Sequence, residues 1–241
     1  MRYNAVTAKL MAMGAKSAGP QAYSLREAQL KLAADIARIS MFLPDNGARS
    51  AFGVFCLRLD LRVEREKQLC AAKGLAPPYS AAELLILQKR LGPVSIPQDG
   101  LEMYYHKRLN AEAKRNRRDG WLLRHIAGIE ADLHNILSIY RLKTYYKASA
   151  GAVYPHLIKG RGKLSPKDVQ TLTEASGADI KAGILATPYG SRFAKAFDGG
   201  EWPETAALNV IIQEVRCIMK KKPDSLARAL LYVYKRERFY G

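Results

Sequence analysis

Apolar positions recur at three- and four-residue steps along most of this chain, and no stretch keeps a two-residue alternation bounded by turn signals. The pattern predicts an all-α protein without a sheet. Its strongest run is residues 128–146, GIEADLHNILSIYRLKTYY. Ile129, Leu133, Ile136, Leu137 and Tyr140 form the stripe of a core-facing helix. Ile139 and Leu142 lie off that stripe, so the helix is apolar on more than one side and is expected to be flanked on both. Glu130, Asp132, Asn135, Arg141 and Lys143 are spread through the same turns. Acids come first and bases last, which suits the helix dipole.

The remaining elements follow from caps and breakers. Residues 4–15 read as a helix weakened by Gly14 and broken at Gly19-Pro20. Ser24-Leu25-Arg26-Glu27 opens the next as a capping box, and Pro44-Asp45-Asn46-Gly47 is expected to end it. Residues 52–72 form a third helix with Phe55, Leu59 and Val63 inward. Ser80 and Glu83 cap a helix predicted through Leu91, and residues 92–100, with Pro97 inside, read as a boundary between units. A basic helix over 101–118 and a turn at Asp119-Gly120 lead into the central run. Helices over 152–158, from Pro166, over 179–185, 204–221 and 225–240 complete the prediction, with Thr187-Pro188-Tyr189-Gly190 as a stop. A weak internal repeat is visible: base- and aromatic-rich helices at 55–68, 130–146 and 230–240 carry Asp60, Asp132 and Glu237 among their aliphatics.

Composition narrows the partners. The chain has 241 residues, is 48% hydrophobic and carries a formal charge of +17. Such an excess implies an acidic partner: nucleic acid, anionic lipid or an acidic protein. Cys56, Cys70 and Cys217 supply neither a disulfide framework nor a metal pair, which fits a reducing compartment. No apolar run approaches the roughly 18–20 residues that span a bilayer, and Lys9 interrupts the apolar run that a signal peptide would need.

Searches for chemistry exclude more than they find. Gly160-Arg161-Gly162-Lys163 lacks the earlier glycine and the following Ser or Thr of a phosphate loop, so it reads as a solvated turn. His106, His125, His134 and His156 have no metal-ligand spacing. Glu130 and Asp132 project to different sides of a helix and do not form an acid/base pair. No catalytic, cofactor-binding or metal-binding set emerges. The basic run 114–118, preceded by Tyr104 and Tyr105, leaves a basic helical nucleic-acid-binding protein as the alternative function.

The central run also carries a resemblance. Glu130-x-Asp132-x-x-Asn135-Ile136-Leu137-x-Ile139-Tyr140-Arg141-Leu142-Lys143 resembles the hallmark of the C-type stalk component of rotary V/A-type ATPases, known as the d-type component in eukaryotes. It most resembles the bacterial branch. Val153-Tyr154-Pro155-His156-Leu157-Ile158, Lys163-Leu164-Ser165, Thr187–Gly190, the opening Tyr3–Met13 and Pro223–Ala227 fall in the family's order. The resemblance implies a funnel of three related helical units, divided here as a shortened first unit at 1–98, a second at 99–222 and an incomplete third at 223–241. It implies a non-catalytic, cofactor-free connector on the cytoplasmic side of the membrane. That connector seats on the membrane rotor ring and receives the central-stalk subunits, passing torque for proton or sodium transport. In that role Glu130, Asp132, Asn135, Tyr140, Arg141 and Lys143 are structural, holding helices together.

Overall fold

The computed structural model describes residues 24–91, 96, 100–160, 162–223 and 226–240. Among them the order is α1 (Leu25–Phe42), α2 (Asn46–Ala72), α3 (Ala81–Leu87), α4 (Leu101–Arg115), α5 (Gly120–Thr144), α6 (Ala150–Val153), a 3-10 turn (Tyr154–His156), α7 (Pro166–Glu174), α8 (Ile180–Leu185), α9 (Gly190–Phe197), α10 (Pro203–Lys221) and α11 (Ala227–Tyr240). The described residues hold no strand, so the all-α expectation stands. The helix expected over 4–15 lies outside the described residues.

Helix starts were set by local chemistry. Ser24, Ser80 and Ser165 each make the reciprocal capping box with Glu27, Glu83 and Asp168. Asp45, expected within a stop, instead caps α2: its Oδ1 accepts the Ala48 N–H at 2.7 Å. The helix therefore begins at Asn46 rather than Phe52. α4 ends at Arg115, three residues early, because Asn116 Oδ1 takes the N–H groups of Arg118 and Asp119 into a turn. The central helix then starts at Gly120, well before Gly128. α3 stops at Leu87 rather than Leu91.

The described residues group into two compact units. The first runs to Leu123 and resumes at Val215. There α2 packs on α4, while α1 packs on α2 and α11. Phe52, Phe55, Leu57, Leu101, Leu109 and Tyr234 are fully buried. Phe55 and Tyr234 meet edge to face at 5.2 Å. The Arg58 guanidinium lies over both rings, 4.2 and 4.1 Å from their centres, and is paired to Glu237. Asp35 of α1 takes Arg236 Nε at 3.3 Å and the Tyr232 hydroxyl at 3.2 Å, so α11 is fastened to both α1 and α2.

The second unit is Arg124–Glu214. Ile129, Ile136, Ile139, Val153, Leu172, Ile180, Ile184 and Phe193 form its buried core. Ile139 is fully buried although it lies off the main stripe, so α5 is apolar on more than one side as expected. Thr187 Oγ1 donates to the Ile184 carbonyl at 2.7 Å and closes α8. The expected stop at Gly190 is instead the first residue of α9. Only glycine fits there, because a Cβ would overlap the Leu185 carbonyl.

Candidate functional site

Asp132 lies on α5 with 3% of its surface exposed. One oxygen, Oδ2, accepts the N–H of Lys163 at 2.5 Å, the N–H of Leu164 at 2.9 Å and the hydroxyl of Tyr189 at 2.8 Å. One turn on, and on the same face, Asn135 holds Ile158 by both backbone groups. Its Oδ1 accepts the Ile158 N–H at 2.8 Å and its Nδ2 donates to the Ile158 carbonyl at 2.9 Å. Two side chains of α5 thus clasp the segment between the 3-10 turn and α7. Gly162 makes the approach possible, since a Cβ there would overlap the Asp132 carboxylate.

Electrostatics follow from this burial. Burial pushes the Asp132 carboxyl above its ordinary value of 3.8; the Leu164 N–H, the Tyr189 hydroxyl and the Lys163 N–H pull it back without overcoming that push. Tyr189 is raised strongly, first by burial and then by the carboxylate it donates to. The Lys163 ammonium reaches Glu214 at 2.5 Å. Burial acts to raise Glu214, but the hydrogen bond and charge of Lys163 hold it below 4.5.

The other hallmark residues are distributed differently. Glu130 is half-buried. Tyr140 is half-buried against Phe197, with ring centres 5.4 Å apart, and burial raises its hydroxyl. Arg141 pairs with Glu204 at the surface, both side chains about half exposed at 50% and 48%. Lys143 is buried, at 8% exposure. The structure therefore joins Asp132 and Asn135 in one device and places Tyr140, Arg141 and Lys143 two to three turns further along.

The sequence reading missed Tyr189, Ile158 and the turn amides. Gly160, Gly162 and Lys163 are exposed, as expected of a solvated turn, yet the segment also serves as the anchor of the clasp: the Lys163 and Leu164 amides are taken by Asp132 rather than presented to a phosphate. A signal for this existed. Asp60 on α2 accepts the Arg90 N–H at 2.7 Å and the Leu91 N–H at 3.1 Å, as well as the Arg90 guanidinium. Each aspartate thus takes two consecutive amides of a base-Leu dipeptide, at separations of 30 and 31 residues for Asp60 and 31 and 32 for Asp132. Glu64, one turn after Asp60, accepts a hydrogen bond from the Gln88 side-chain amide at 2.6 Å, where Asn135 instead holds backbone groups of Ile158.

Chemically, Asp132 has its donors supplied by its own fold, and no group of three or more metal-ligating side chains occurs among the described residues. The arrangement fastens segments together. The family model for the ATP synthase (C/AC39) subunit matches residues 77–238, a span that includes α5, both base-Leu dipeptides and Glu237. The chain belongs to this family. No curated protein and no solved structure matches it. Members of the C/AC39 family are structural stalk subunits of V/A-type ATPase complexes, so association with such a membrane complex follows for this C/AC39 chain. No described helix is long and apolar enough to cross a membrane.

Proposed function

We propose that the chain is a non-catalytic central-stalk connector. It seats on the membrane rotor ring from the cytoplasmic side and receives the central-stalk subunits, so that torque passes between ATP hydrolysis or synthesis and proton or sodium movement. The observation that carries this reading is the clasp on α5, within the family match: its hallmark carboxylate and amide are committed to internal hydrogen bonds, which suits a part that must stay rigid under load. The recurrence of the clasp at Asp60 supports descent of the two segments from one ancestral unit. The division into related units at 1–98, 99–222 and 223–241, and the funnel they would build, belong to this reading; Glu237 differs from the two clasping aspartates in that it pairs with Arg58 inside the first compact unit.

Nothing in the clasp or the family favours the nucleic-acid reading. Co-expression with central-stalk and ring subunits tests the connector: the chain should co-purify with both, and the isolated chain should not hydrolyse ATP. Failure to associate with either partner, with the chain folded, rules the connector out.

A further inference from the structure

Lys163 is held at both ends. Its backbone N–H is taken by Asp132 on α5, and its ammonium reaches Glu214 on α10 at 2.5 Å. Among the described residues, Glu214 is the one hydrogen-bond partner of that ammonium. The ammonium also lies 5.9 Å from the centre of the Tyr189 ring, whose hydroxyl donates to the same Asp132 oxygen. The second oxygen of Glu214, Oε2, lies 3.6 Å from His125 Nε2 on α5. One residue of the clasped segment therefore ties two long helices together, and all of these groups belong to the second unit.

The place of this joint gives it a use. The chain enters the second unit inside α5, which runs unbroken from Gly120 past Leu123. It leaves inside α10, which continues past Glu214 to Lys221. His125 is the second residue after the entry, and Glu214 is the last before the exit. Ala207, Val210 and Ile211 are buried on α10, but apolar contact is non-directional and resists sliding or rotation of a helix poorly. A charge-assisted hydrogen bond fixes direction as well as distance. Glu214 stays charged for that task, since Lys163 holds its carboxyl below the ordinary value against the push of burial.

We infer that Lys163 and Glu214 are positioning residues of the connector, locking the outgoing helix α10 to the clasp so that load entering along α5 leaves along α10. This rests on the connector reading and adds the residues that carry load through the second unit. In the full chain, Lys163→Met and Glu214→Gln should each speed amide exchange of Lys163, Leu164 and the α10 stretch up to Glu214 by roughly two- to fivefold, as befits a part-exposed pair. The double variant should add nothing to either single change, and Lys163→Arg should keep wild-type exchange. In complexes assembled with central-stalk and ring subunits, Glu214→Gln should still assemble but move fewer ions per ATP hydrolysed, and Lys163→Arg should couple as wild type does. Unchanged exchange in either single variant, full additivity in the double variant, loss of assembly by Glu214→Gln, or unchanged ions per ATP in its complexes would each overturn the inference. A wild-type chain that meets no rotary subunit fails the connector instead, and the exchange cycle then decides by itself whether the pair locks α10 to the clasp.

Discussion

Asp132 shows how much a single carboxylate oxygen can hold. Replacing it with alanine strands two backbone N–H groups and the Tyr189 hydroxyl, each at about 1–3 kcal/mol when buried. Asp132→Ala should therefore cost about 3 kcal/mol or more in a denaturant titration. Tyr189→Phe removes one donor without stranding the others and should cost about 1 kcal/mol. Arg141→Ala breaks a half-exposed pair and should stay below about 1 kcal/mol, so the hallmark residues contribute unequally.

Acidity separates the same carboxylates by sign. Burial raises the Asp132 carboxyl, so its contribution to stability is fully present below 3.8 and is lost as pH rises through the raised value. Asp132→Asn lacks this dependence. As pH falls from 7 toward 4, the stability difference between wild type and Asp132→Asn should move in favour of wild type; movement the other way would show that the hydrogen bonds outweigh burial. Glu204 behaves oppositely. Burial acts to raise it, but Arg141 and its own backbone amide hold it below 4.5, so its contribution is present above 4.5 and lost as pH falls through the lowered value.

At the scale of elements, α2 and α5 are long helices that each reach out, by one inward acid, to a segment about thirty residues downstream. The acid replaces the packing that a short, irregular segment is too polar to provide, since its free amides need acceptors away from water. Each device lies within one compact unit. Asp60→Ala should therefore speed amide hydrogen exchange in the first unit and leave the second protected, and Asp132→Ala should do the reverse. Exchange rising equally in both units under either substitution would show that the units open together.

At the scale of the molecule, the first unit is closed by the far end of the chain. α11 supplies Tyr234 and Glu237 to a site whose other members, Phe55 and Arg58, stand on α2. The Arg58 and Glu237 side chains are only 13% and 6% exposed, so removing Glu237 takes the nearest carboxylate from a buried guanidinium. Glu237→Ala should cost about 3–5 kcal/mol, read as a lowered melting midpoint. A far smaller loss would mean that Arg58 is satisfied without Glu237.

Sequence by itself determined the helical class, the serine caps and the buried stripe of α5, because periodicity and capping act over three or four residues and are written locally. It also carried the resemblance to the family, through the order of acid, amide and base from Glu130 to Lys143. Tertiary structure alone decided which of those polar residues work together. Asp132 meets Lys163, Leu164 and Tyr189 only after the chain has folded back on α5. An acceptor's partners depend on which distant amides lack water, and that is settled by packing rather than by spacing.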